Sequence, residues 1–293
     1  MIKSSLDSPK CIFCLRENQP GSEEHILPKG LVGEPVYDHS GPFGPYANSP
    51  LVLSNGEVCR ECNNDLGSLD SALLQEWGLF RAFWNRSTTR SGGRVAISLP
   101  ALTVVREGPE LNFHVSVDGT AYTIDEQLDV RPRRPGAHSG VELVRRSGSE
   151  FARVTQRSEI HKRVVRAIHK IAFEMVCFRQ GHEHVLSPNY NDLRKYILTG
   201  RGHWTLGLEQ SDVPQLADGL PMPPRITISP QNSLTSFVTI WLGQWFHVLV
   251  ARRPRPVWPG MLTIDPRRGS SYLTLSFDLK VTRSPPGVDL REP

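Results

Sequence analysis

Two Cys-x-x-Cys pairs stand out first: Cys11 with Cys14, and Cys59 with Cys62. Two such knuckles can place four thiolates at the corners of a tetrahedron, which suits Zn2+. Iron is the softer alternative, and a disulfide or redox pair is the competing reading of the same cysteines. Four sulfur ligands leave no open position for water, so a zinc held this way is structural. Its binding free energy would help to fold a segment otherwise poor in core. The fifth cysteine, Cys177, lies in an apolar helical stretch and reads as a small buried hydrophobe.

Between the knuckles lies SEEHILPK, residues 22–29. Adjacent residues on an extended strand point to opposite faces. Of Glu24 and His25, one can therefore reach a metal while the other faces a reactant. Asn63 follows the last cysteine, so the second knuckle would fix it at the start of a helix, where a phosphate is favoured. Taken singly, a Glu-His pair before a turn is ordinary polar structure, and an Asn at a helix start is an ordinary cap. Their shared position inside one cysteine frame is what points to a site.

At these residues the sequence resembles the HNH endonucleases, the ββα-metal nucleases. EHILP resembles the family's acidic-His-x-x-Pro signature, and CRECNN its Cys-x-x-Cys followed by His or Asn. The two flanking pairs match the zinc-stapled branch. The resemblance covers residues 11–75, and a weaker similarity extends to IHKRVVRAIHKIAFE and YNDLRKYILTG. It implies that His25 is the general base that takes a proton from the attacking water. It implies that Glu24 and Asn63 hold one Mg2+ or Mn2+ beside a structural Zn2+ on Cys11, Cys14, Cys59 and Cys62. Asn55 would orient the imidazole, with Asn48 a second candidate, and Asn64 could replace Asn63. Asp65 and Asp70, on the same helix, read as surface or capping residues. Family members leave a 5′-phosphate.

The elements that must position these residues are legible in the periodicity. Leu66, Leu69, Leu73, Trp77 and Phe80 recur at steps of three and four, predicting a helix from within CREC to about Asn85. Residues 94–157 alternate as strands, with Asp118-Gly119 as a hairpin turn. RPRRPGAHSG, 131–140, reads as loop. A second helix is predicted over 158–179, with Ile160, Val164, Ile168, Ile171 and Met175 on its apolar face. His161, Lys162, Arg166 and His169 would form a solvated basic side. A shorter helix over 187–200 is stopped by Gly200, and residues 224–282 return to strands. SFVTIWLGQWFHVLVA, 236–251, reads as two strands meeting near Gly243, since it is shorter than a membrane span and interrupted by Gln244 and His247. The expected fold class is α+β: an N-terminal ββα-metal HNH module, residues 1–90, then a mixed strand and helix domain of unknown specificity, residues 91–293.

Composition narrows the function classes. The chain has 293 residues, 38% hydrophobic and 22% charged, as expected of a globular chain rather than a disordered one. MIKSSLDSPK has no apolar leader region, which predicts a cytoplasmic protein without a membrane partner. The formal charge of +4 permits a polyanionic partner without demanding one. The expected partner is nucleic acid, DNA first. A homodimer would serve double-strand cutting, and a partner protein could instead deliver the substrate. The resemblance places such a nuclease in bacterial defence or restriction. The alternative is a non-catalytic zinc-ribbon module that grips nucleic acid without cutting it.

Overall fold

The structure is a computed structural model that describes residues 9–17, 19–28, 31, 51–77, 95–99, 102–107, 112–117, 120–132, 140–209, 224–232, 235–242, 245–250 and 261–283. It is a mixed α+β chain. Strands β1 (Gly21–His25) and β2 (Val52–Cys59) form an antiparallel pair, and helix α1 (Arg60–Glu76) follows directly. Seven further strands build a wholly antiparallel sheet: β3 (Val95–Leu99), β4 (Leu102–Glu107), β5 (Asn112–Val117), β6 (Thr120–Pro132), β7 (Gly140–Arg146), β8 (Ser149–Ile160) and β14 (Ser271–Arg283). Their order is β3-β4-β5-β6-β14-β8-β7, so the last strand inserts between β6 and β8. A second antiparallel sheet has the order β10-β11-β12-β9-β13. Its strands are β9 (Leu206–Glu209), β10 (Arg225–Asn232), β11 (Thr235–Trp241), β12 (Trp245–Val250) and β13 (Leu262–Ile264).

Helix α2 (Lys162–Gln180) is the centre of the molecule. It packs on α1 and β2 on one side and on β10, β11 and β12 on another. Its residues 167–177 are all buried. A helix covered all round belongs to the interior, so the solvated basic side expected for it is only partly present. Lys162 is exposed and His161 and Arg166 are half-buried, but His169 is buried, as is Lys170 beside it. The helix also starts later than the apolar spacing suggests. Ile160 still pairs with Ser271 as the end of β8, and His161 caps the helix by accepting the Arg163 amide on Nδ1 at 3.1 Å. After α2 come a single turn, α3 (His182–Val185), and helix α4 (Asn191–Thr199). As expected, α4 ends at Gly200, which adopts the left-handed conformation at φ 70°.

The remaining sequence expectations fall on both sides. Residues 236–251 do form two strands, β11 and β12, and no described helix is long and apolar enough to cross a membrane. Val117 pairs with Thr120 across Asp118-Gly119, as a two-residue hairpin requires. Cys177 is buried. Helix α1 stops at Glu76, short of Asn85, with Trp77 as its C-cap; Phe80 lies outside the described residues.

One continuous cluster of buried apolar side chains joins the cysteine region to both later sheets. The Phe13 and Phe173 rings meet with centroids 5.7 Å apart, and those of Trp77 and Phe246 at 5.8 Å. Trp77 is fully buried, and its indole Nε1 donates to the Leu242 carbonyl at 2.7 Å. It therefore pins the end of α1 to the second sheet. Trp77→Ala should lower the unfolding free energy by about 3–5 kcal/mol through the cavity it leaves. Trp77→Phe, which removes mainly the hydrogen bond, should cost about 1 kcal/mol. Urea denaturation of the two variants checks both values.

Candidate functional site

The four cysteines converge. The Sγ atoms of Cys11, Cys14, Cys59 and Cys62 all lie within 4.8 Å of one another, and none is in a disulfide. Four thiolates about 2.3 Å from one ion sit roughly 3.8 Å apart at tetrahedral corners. Cys14 and Cys59 already stand at 3.8 Å. The donor set therefore fits a single closed zinc. Backbone amides point at the sulfurs as they do in thiolate knuckles: the Cys59 amide donates to Cys11 Sγ and the Cys62 amide to Cys59 Sγ, each at 3.4 Å. Cys59 is at once a ligand and the N-cap of α1. The positive end of the helix favours a charged sulfur there, while burial pushes the Cys59 thiol up. Crowding already drives one thiol towards the thiolate. A hydrogen bond from the Cys62 side chain lowers Cys11 to about 4, and the same contact raises Cys62.

Each knuckle is tied to the strand pair. The Ile12 amide donates to Glu57 O at 2.9 Å, and the Arg60 amide to Pro20 O at 2.8 Å. Between β1 and β2 the register slips. Ser22 pairs with Val58 but Glu24 with Leu53, so β2 bulges over Ser54–Glu57. Gly56 lies in this bulge at φ 103°, and a Cβ there would stand 2.8 Å from Pro9 Cγ. Only glycine fits such a position without a shift of its neighbour. Asn55 is in the same bulge, but its side chain lies outside the described residues, as does the whole of Asn48.

The two faces of β1 have separate surroundings. Glu23 and His25 face outward. His25 is 30% exposed at its side chain, with Nε2 3.6 Å from Glu23 Oε1. Asn63, on the first turns of α1, donates from Nδ2 to Ser22 Oγ at 3.0 Å and to the Glu23 carbonyl at 3.2 Å. Its Oδ1 accepts no hydrogen bond among the described residues. Glu23 thus touches both His25 and Asn63. The sequence reading passed over it, although a strand that exposes His25 must also expose the residue two positions before it. Asn64 and Asp65 are exposed on α1.

Glu24 turns the other way and is buried, 3% exposed. Lys170 of α2 donates from Nζ to its Oε1 at 2.6 Å. The same ammonium lies 3.1 Å from both carboxylate oxygens of Asp70 and 3.5 Å from Glu174 Oε1. The expectation that Glu24 and Asn63 share one Mg2+ or Mn2+ therefore does not match the geometry: the Glu24 carboxylate is occupied by an internal cation on the inner face of β1. Asp70 is likewise a partner of Lys170 rather than a surface or capping group.

Three acidic side chains share one buried ammonium, with Asp70 the most exposed of them at 20%. Burial raises Glu174 well above the ordinary carboxylate range, and also raises Glu24 and Asp70 against the pull of Lys170. Burial alone would lower Lys170, but Glu174, Asp70 and Glu24 outweigh it and hold the ammonium charged. Glu174 is fully buried, and neither of its carboxylate oxygens has a hydrogen-bond partner.

Comparison with protein-family models, with curated proteins and with solved structures returns no match for this chain. The class that the fold and site define is an α+β protein with four cysteines close enough to bind one metal ion, beside a two-stranded hairpin and a helix.

Two outcomes are expected here. The purified chain should carry one zinc by elemental analysis, and Cys62→Ser or a strong chelator should remove it and loosen residues 11–77 to proteolysis. Glu174 binds its proton more tightly folded than unfolded. Its contribution to stability is thus complete below the unfolded value of 4.5 and falls as pH rises above it. Glu174→Gln should therefore stabilise the protein near neutral pH, with a gain over the wild type that widens as pH rises from 4.5. A melting series across pH checks the sign.

Proposed function

We propose that residues 9–77 form a zinc-stapled endonuclease site that hydrolyses phosphodiester bonds in nucleic acid, DNA first, in the manner of the HNH enzymes that the sequence resembles. The observation that carries this reading is the meeting of His25 and Asn63 at Glu23 on the open side of a strand, strand, helix unit. His25 Nε2 takes a proton from water, which attacks phosphorus, and the 3′ oxygen leaves to give a 5′-phosphate. Glu23 stands where it can receive the imidazolium charge through space. The four thiolates stay closed around zinc and hold Asn63 at the start of α1.

A divalent Mg2+ or Mn2+ remains part of the proposal as the source of charge stabilisation at the phosphate. Of the two expected ligands only Asn63 offers an oxygen towards the outer face, and it would hold that ion there. A defence or restriction role, and delivery of substrate by a homodimer or a partner protein, follow from the same resemblance.

The alternative is a zinc module that binds nucleic acid without cutting it, and the capture of Glu24 by Lys170 favours it. Plasmid nicking in Mg2+ and in Mn2+, compared between the wild type and His25→Ala, separates the two. Loss of the general base should lower the rate by about 10²–10⁴ while zinc content stays unchanged. Equal cutting by both proteins would remove His25 from the reaction. Salt-sensitive binding without cutting by either would favour the module that only binds.

A further inference from the structure

We propose that Lys170 is a positioning residue for the candidate base, and that Glu24 serves to anchor β1 to α2 rather than to hold an ion beside Asn63. The inference rests on the reading of His25 as the base, but its own support is geometric. Four ionisable side chains from three elements meet in the interior: Glu24 from β1, Asp70 from α1, and Lys170 and Glu174 from α2. Lys170 and Glu174 are fully buried, and Glu24 is 3% exposed.

An ammonium is not taken out of water for general stability, since well-packed apolar residues serve as well or better. What an ion pair provides is register. Glu24 Oε1 at 2.6 Å from Nζ fixes where β1 lies along α2. His25 is the next residue on that strand, so fixing Glu24 inward fixes His25 outward. Asp70, bound by both oxygens at 3.1 Å, ties α1 to the same ammonium. Because α1 also carries Asn63, one cation sets β1 and α1 relative to each other. Glu174 is the further sign that the place is built for a cation. It is a buried carboxyl aimed at Nζ from 3.5 Å, with no hydrogen-bond donor of its own. The three acids thus form a cation cage whose resident ion is the chain's own lysine.

A double-mutant cycle in the zinc-loaded full chain tests this, with Glu24→Gln, Lys170→Met and the combined variant. Lys170→Met leaves three buried acids without their cation, and Glu24→Gln removes the nearest of the lysine's three partners, so each should lower the melting midpoint. The combined variant should lose less than the sum of the two. Additive losses would overturn the pairing. Should Lys170→Met fail to fold, Asp70→Asn and Lys170→Arg carry the test, the arginine restoring the charge and part of the midpoint.

The positioning role needs a readout that stability alone does not move. The ring cross-peak of His25, followed by NMR, should shift in Glu24→Gln and Lys170→Met while those of His203 and His247 stay in place. A His25 peak unmoved in either variant would overturn the role. So would a fall of about tenfold or more in Mn2+ affinity on Glu24→Gln, the loss expected of an ion's ligand or its immediate support. Absence of cleavage by the wild type would sink the nuclease reading yet leave the outcome of the cycle unchanged, so the two failures are distinguishable.

Discussion

Taking an ammonium out of water costs several kcal/mol unless partners close around it. The arrangement of this molecule follows from how that requirement is met at Lys170. No single element supplies enough negative charge. β1 brings Glu24, α1 brings Asp70, and α2 itself brings Glu174 one turn on. The hairpin, the helix that follows it and the central helix must therefore arrive at one point together. Apolar packing around that point is extensive but tolerant of small slides. The ion cluster is not tolerant, because a shift of one residue along β1 would reverse which face Glu24 occupies.

The four-cysteine cluster and the buried lysine act at different places in the same short unit. Cys59, in that cluster, marks where β2 ends and caps the start of α1. Lys170 fixes the middle of the unit from behind. Between them the outer face of β1 is left with few degrees of freedom, and that face carries Glu23 and His25. A histidine on a two-stranded ribbon would otherwise be poorly placed for chemistry, since so small a sheet is marginally stable by itself.

What could be read from the sequence was whatever depends on local spacing. Paired Cys-x-x-Cys motifs, the leucine period of α1 and the hairpin signals each report on neighbours along the chain. The four-cysteine centre and the α+β class follow from them. The burial of Glu24 against Lys170 could not be read because that partner lies far away in sequence, and alternation along a strand states which faces differ without stating what covers each. The same limit applied to α2. Its His169 read as part of a solvated basic side, and only the packing of a sheet on one side and α1 on the other shows that it is interior. Its start was misplaced because Ile160 fits the helical period as well as it fits the end of β8, and pairing with Ser271 decides the matter.

Glu24 and Lys170 are 146 positions apart in the chain, and Asp70 and Lys170 are 100 apart. During synthesis the zinc ligands and both acids emerge long before their cation. At 5–20 residues per second the gap between Glu24 and Lys170 lasts roughly 7–30 s. Over that interval a nascent N-terminal unit can gather its metal, but it must either leave two carboxylates hydrated or keep them protonated. The outer face of β1 reaches its final setting only when α2 has been made. A fragment released early thus holds the four cysteines and the hairpin without the cation that sets β1 against α2, and the outer face that carries His25 lacks its support until the rest of the chain exists.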